Sequence, residues 1–133
     1  MPRILLIEDD QTLRRALRIA LERTGLAIAE AGDGREGLSL FRKQNFDLVI
    51  TDLIMPEMEG METIRALRTL SPQLLIIAIS GGGKGSAENY LNLAQHFGAN
   101  LAFAKPFELD ALCGAVAQLL AGKGATESRP PIG

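Results

Sequence analysis

Four short apolar runs in this chain each lead into residues able to do polar chemistry. Residues 4–7 run into Glu8-Asp9-Asp10, residues 48–50 into Asp52, residues 74–79 into Ser80, and residues 101–104 into Lys105-Pro106. Gathered in one place, three or four carboxylates, a hydroxyl and an ammonium would form a site for a hard, oxygen-ligated cation. Crowded carboxylates repel one another unless a cation or raised pKa values relieve them. Mg²⁺ suits such a set, because it takes one or two carboxylates and keeps waters for a phosphate. Singly, the residues have plainer readings. Asp10 can cap the helix that follows, Asp52 can form a turn, and Lys105-Pro106 can be a loop carrying a solvated charge. Their joint placement at the ends of four runs favours chemistry.

That placement depends on the elements between them. The continuous run at 4–7 reads as a strand buried on both faces of a parallel sheet. Leu13, Ala16, Leu17, Ala20 and Leu21 then repeat at helical spacing, with Arg14, Arg15, Arg18 and Glu22 on the other face and Gly25 as a stop. Ala27–Ala31 reads as a weak strand, because alanine is a poor strand former. Asp33-Gly34 opens a second helix with Leu38 and Phe41, and Pro56 and Gly60 break the chain before a third with Ile64 and Leu67. Ser86 can cap a fourth, with Tyr90, Leu91 and Ala94 inward. Leu109, Leu112, Cys113, Val116 and Leu119 have the best amphipathic spacing and make the fifth. Five strands alternating with five helices imply parallel strands joined by right-handed crossovers, an α/β three-layer domain. Ligands of such sheets bind outside the carboxyl ends of the strands, where all four run ends would meet.

Length and composition bound the rest. At 133 residues the chain reads as one domain over residues 1–121, followed by a flexible tail at 122–133 with no room for an output domain. Hydrophobic residues make up 47% and charged ones 23%, a globular balance. With Lys+Arg 14 against Asp+Glu 16, there is no electrostatic case for nucleic acid or anionic lipid as a direct partner. A single cysteine, Cys113, excludes an internal disulfide, and no apolar run approaches a membrane span, so a cytoplasmic location is expected. His96, the one histidine, lacks partners for a metal and reads as a surface residue. The loop Gly81-Gly82-Gly83-Lys84-Gly85 lacks the Gly-Lys-Ser/Thr order of a nucleotide-binding loop.

The stretches Ile4-Leu5-Leu6-Ile7-Glu8-Asp9-Asp10, Asp52-Leu53-Ile54-Met55-Pro56-Glu57-Met58-Glu59-Gly60, Ile79-Ser80-Gly81 and Lys105-Pro106-Phe107 resemble the receiver domain of two-component response regulators. The resemblance spans residue 3 to about residue 121. It implies a flavodoxin-like (βα)5 three-layer sandwich with strand order 2-1-3-4-5. It implies that Asp52 accepts a phosphoryl group as an acyl phosphate. Glu8, Asp9, Asp52 and the backbone carbonyl of Ile54 would hold Mg²⁺, while Ser80 and Lys105 would bind phosphoryl oxygens. The Lys105–Pro106 bond would be cis. The implied donor is a sensor histidine kinase or phosphotransfer protein, and the implied reader a downstream protein docking on the fourth-helix to fifth-helix face. Such a domain is a regulatory module rather than an enzyme on outside substrates.

Two departures from the family pattern stand out. The position three residues before the lysine, commonly aromatic, is Ala102, and Phe103 one place later should point to the opposite face of its strand. An alanine cannot act as a rotamer switch, so the glycine-rich loop after Ser80 is the expected moving element. Ile54 and Gly82 also supply no polar side chain to orient a hydrolytic water, so ordinary or slow autodephosphorylation is expected. Two rival readings are a degenerate receiver acting as a phosphorylation-independent docking module and an aspartate-nucleophile phosphatase. The full set of polar residues argues against the first. Against the second, Ile54 stands where a phosphatase needs its general acid.

Overall fold

The computed structural model describes residues 1–53, 60–80, 92, 95, 96 and 98–128, with backbone alone from 123 onward. Five strands, β1 (Arg3–Ile7), β2 (Ala27–Ala31), β3 (Leu48–Asp52), β4 (Leu75–Ser80) and β5 (Leu101–Ala104), form one sheet in the order β2-β1-β3-β4-β5. Every neighbouring pair is parallel. The described helices are α1 (Gln11–Glu22), α2 (Gly34–Lys43), α3 (Gly60–Leu70) and α4 (Leu109–Ser128). This is the flavodoxin-like (βα)5 sandwich implied by the resemblance. Of the helix expected after Ser86, residues 92, 95 and 96 are helical, while Tyr90, Leu91 and Ala94 and the loop at 81–85 lie outside the described residues.

The central strands are continuous apolar runs because helices cover both sheet faces. Leu5, Ile7, Val49, Ile76 and Ala78 pack on one face with Leu38 of α2 and Ile64 and Leu67 of α3. Ile4, Leu6, Leu48, Ile50, Ile77 and Ile79 pack on the other with Leu17 and Leu21 of α1 and Leu112 and Val116 of α4. Each fully buried leucine or isoleucine contributes roughly 1.5–3 kcal/mol. Ala27–Ala31 is a strand despite its alanines, because an in-register ladder with β1, from Arg3↔Ala27 to Ile7↔Ala31, satisfies its backbone.

The caps follow the local sequence. Asp10 accepts from the N–H groups of Thr12 and Leu13 at the start of α1, so its plainer reading as a cap is correct. Gly25, at φ 93°, turns the chain after α1, and Asp33 caps α2. The last helix runs past Gly122, where the sequence reading ends the domain, to Ser128. A helix already formed needs no new nucleus to continue, and each glycine in it costs only about 1 kcal/mol. Among the described residues no helix is long and apolar enough to cross a membrane.

Arg68 closes the end of the sheet opposite the acids. Its guanidinium donates to the carbonyls of Pro72 (2.8 Å), Leu74 (2.6 Å) and Gly98 (2.6 Å), tying α3 to the entries of β4 and β5. Burial without a carboxylate among these partners holds its pKa below the ordinary arginine value. Arg68→Ala would strip partners from three carbonyls and is expected to cost about 2 kcal/mol, read by urea denaturation.

Candidate functional site

Four of the five strands, β1, β3, β4 and β5, lead a polar residue to the carboxyl edge of the sheet. The Glu8 N–H donates to the Ala31 carbonyl at 3.0 Å, extending the β1 ladder by one step and fixing where the Glu8 side chain begins. Asp52 is the last residue of β3 and 3% exposed. Ser80 ends β4, fully buried, one step beyond the Asp52↔Ile79 pair. Lys105 follows β5, its N–H donating to the Ser80 carbonyl at 2.7 Å, and the Lys105–Pro106 bond is cis.

The side chains converge. Glu8, Asp9 and Asp52 each bring a carboxylate oxygen within 4.8 Å of the others, with Asp9 exposed and the other two buried. Lys105 Nζ donates to Asp52 Oδ2 at 2.8 Å and stands 2.9 Å from Glu8 Oε1. The second contact is an ion pair without hydrogen-bond alignment, and Glu8 Oε1 accepts no hydrogen bond among the described residues. The other Glu8 oxygen accepts from the Asp10 N–H at 3.1 Å. A fully buried carboxylate oxygen with no hydrogen bond, beside two more carboxylates, fits a cation with hard-ligand preference. The arrangement matches the Mg²⁺ site of receiver domains. Ile54 lies outside the described residues.

Burial pushes the Glu8 carboxyl up from 4.5 to about 7, with Lys105 opposing the shift and Asp52 adding to it. Burial also pulls the Lys105 ammonium down, but its hydrogen bond to Asp52, its close contact with Glu8 and the charges of both carboxylates leave it above the ordinary lysine value. A stability consequence follows for the metal-free protein. Glu8 keeps its proton to about pH 7 when folded and releases it near 4.5 when unfolded. Between those values the folded state binds more protons, so stability falls as pH rises from about 4.5 and the loss is complete above about 7. The loss is at most about 3 kcal/mol. Glu8→Gln should remove this dependence, and saturating Mg²⁺ should offset it, because the cation favours the carboxylate. Urea denaturation at about pH 5 and about pH 8 measures it.

Ala102 packs on the face of α2 and α3, whereas Phe103 packs on the face of α1 and α4, its ring 6.0 Å from that of Phe107. The alternation expected along β5 therefore holds, and Phe103 packs, partly buried, against the core on that face.

Two neighbours of the site were not legible as such in the sequence. Gly60, read there as a break before the third helix and as the end of the stretch after Asp52, donates its N–H to the Leu53 carbonyl at 2.9 Å, and a Cβ on it would lie 2.2 Å from the Asp52 carbonyl oxygen. Arg14, read only as part of the polar face of α1, donates to the Glu8 backbone carbonyl at 2.8 Å. The glycine in the stretch after Asp52 was a usable signal for the first; nothing local signals the second.

An open doubly wound sheet with a lysine and a cation-fitting acid cluster at its carboxyl edge defines a site for phosphate chemistry in an α/β protein. The chain belongs to the response regulator receiver domain family, whose pattern matches residues 4–117. Receiver domains are phospho-accepting regulatory modules and not independent enzymes. The chain is 42% identical over 80 residues to the transcriptional regulatory protein AfsQ1 of Streptomyces coelicolor, a match covering 60% of this chain and 35% of that one. Other curated relatives are likewise longer, the chain spanning between 14% and 50% of the length of several. A receiver domain structure from Clostridium thermocellum superposes with a TM-score of 0.86 at 28% identity, covering 95% of this chain and 99% of that one. The Thermotoga maritima response regulator TrrA, solved in complex with Mg²⁺-BeF, gives 0.79 at 30% identity, covering 90% and 99%.

Proposed function

We propose that Asp52 is the phosphoryl acceptor of this receiver domain and that a sensor histidine kinase or phosphotransfer protein is its donor. The observation that carries this is the convergence of Glu8, Asp9, Asp52 and Lys105, with one buried Glu8 oxygen that accepts no hydrogen bond among the described residues. An Asp52 carboxylate oxygen forms a bond to phosphorus while the bond from phosphorus to the donor atom breaks. The leaving atom, an imidazole nitrogen when the donor is phosphohistidine, keeps the electron pair. Glu8, Asp9 and Asp52 would hold Mg²⁺, with the Ile54 carbonyl the further ligand that the family resemblance implies, and the bound cation would supply charge neutralisation for the phosphoryl oxygens. Lys105, held at Asp52 before transfer, provides a second positive charge for those oxygens, and the Ser80 hydroxyl a hydrogen bond. The acyl phosphate removes Lys105 from its present partner, and that exchange is the start of the switch. The reader is a downstream protein on the face between the helix expected after Ser86 and α4, the fourth and fifth helices of the sequence, and the setting is cytoplasmic.

Intact mass after incubation with acetyl phosphate tests this reading. A single phosphoryl adduct that requires Mg²⁺ supports it. No adduct, together with no binding of beryllofluoride, would overturn it in favour of a docking module that works without phosphate. Lys105→Ala should still bind Mg²⁺, and more tightly than wild type, because a competing cation 2.8 Å from Asp52 is gone. Its phosphoryl uptake should fall at least tenfold for loss of the charge on the transferring group.

A further inference from the structure

Arg14 spans the gap between the first helix, the edge strand β2 and the acid loop. Its Nε donates to Glu30 Oε1 at 2.9 Å, and its Nη1 to the Glu8 carbonyl at 2.8 Å. Glu30 is gripped from the other side by Arg18, which also pairs with Glu22 at 3.1 Å one helical turn further on. The Arg18 hydrogen bond, followed by that of Arg14, holds the Glu30 carboxyl below its ordinary range. The Arg14 side chain is only 18% exposed, so this is a held guanidinium and not a waving surface charge.

Its target matters more than its partners. The Glu8 carbonyl belongs to the peptide that joins Glu8 to Asp9, and that peptide is planar. Fixing the direction of the carbonyl therefore fixes the Asp9 N–H and the position of the Asp9 Cα. We propose that Arg14 is a positioning residue for cation binding: through the Glu8 carbonyl it sets the peptide plane that aims the Glu8 and Asp9 carboxylates together, with Glu30 as its anchor. This rests on the reading of the acid cluster as a Mg²⁺ site.

Electrostatics alone predicts the opposite effect. A guanidinium at the acid loop repels an incoming cation, so removing it should tighten Mg²⁺ binding. Positioning predicts weakening, since partners that orient metal ligands typically contribute about 10–100-fold in affinity. The sign of the change separates the two.

The experiment is titration of the full chain with Mg²⁺, followed by backbone amide shifts, for wild type, Arg14→Met, Glu30→Ala, the double variant and Arg15→Met. Arg15 is an exposed arginine on the same helix and controls for net charge. Arg14→Met is expected to weaken Mg²⁺ binding about tenfold and to move the Asp9 amide in the metal-free spectrum. Arg15→Met should leave affinity within about twofold. Glu30→Ala should weaken binding less, and the double variant no more than Arg14→Met, because the two act through one contact. Should Arg14→Met fail to fold, the Glu30→Ala titration decides in its place. Equal or tighter Mg²⁺ binding by the folded variants, including the case of a lowered Tm with unchanged affinity, overturns the proposal. Wild-type protein that takes up no Mg²⁺ overturns the cation reading and the proposal with it.

Discussion

Asp52→Asn is expected to take up no phosphoryl group from acetyl phosphate at any Mg²⁺ concentration, while the metal-free protein becomes more stable. The loss follows from chemistry: an amide oxygen is too poor a nucleophile to displace a donor atom from phosphorus. The gain in stability follows from charge. The site holds three carboxylates within 4.8 Å of one another against one ammonium, and two of them are buried. Asparagine removes one negative charge and still offers Lys105 an acceptor oxygen. Above about pH 7, where Glu8 is charged, the relief of repulsion exceeds the lost attraction to Lys105, because two carboxylates gain and one ammonium loses. The expected net effect is about 1 kcal/mol, or about 4 °C in Tm for a chain of this size. The same substitution should weaken Mg²⁺ binding, since a charged ligand is gone. Intact mass, thermal unfolding without metal and a Mg²⁺ titration check the three parts. An adduct on Asp52→Asn would assign the phosphoryl group to another residue, and a large loss of stability would show that the Lys105 pair outweighs the crowding.

Gly60→Ala is expected to be the most damaging added methyl among the described glycines. The added Cβ would fall 2.2 Å from the Asp52 carbonyl oxygen, 2.3 Å from the Leu53 Cα and 2.7 Å from the Leu53 carbonyl carbon. All three are backbone atoms at the end of β3, and Leu53 is itself pinned by its N–H to the Ile79 carbonyl at 2.9 Å. No side chain can rotate away, so either α3 lifts off the sheet or the end of β3 moves. Overpacking against fixed backbone should cost about 3 kcal/mol. Asp52 is the residue that moves with β3, so phosphoryl uptake should fall further than stability does, measured at a temperature where the variant is still folded. Gly114→Ala, where nothing lies within 4 Å of the new Cβ, is the matched control and should be neutral or slightly stabilising. Gly60→Ala with normal urea stability and normal phosphoryl uptake would mean that the approach of α3 to β3 is looser than these distances.

The elements of this domain were legible wherever the signal was local. Runs such as 4–7 and 48–50 can only be buried on both sides, and the two core clusters divide them alternately between the sheet faces. Asp10, Asp33 and Gly25 announce caps and a turn through backbone chemistry that acts over two or three residues. The alternation of a strand places Phe103 opposite Ala102 without any structure. Even the edge of the sheet on which Glu8, Asp52, Ser80 and Lys105 meet follows once the strands are parallel, because each residue ends or immediately follows its strand. The strand order came from resemblance, since spacing alone does not choose among parallel arrangements.

What only the folded chain decided are contacts between residues far apart in sequence. Lys105 and Asp52 are 53 positions apart, and that one ammonium serves both Asp52 and Glu8 depends on side-chain reach across β1, β3 and β5. The partnership of Arg14 with Glu30 joins the polar face of a helix to an edge strand, and nothing local in either sequence links the two. The 2.2 Å clearance at Gly60 exists only after α3 is laid against the end of β3. Composition and periodicity act through the next turn of helix or the next strand residue. Charge pairing, desolvation and close approach act through space, and so they take their values only when packing has set the distances.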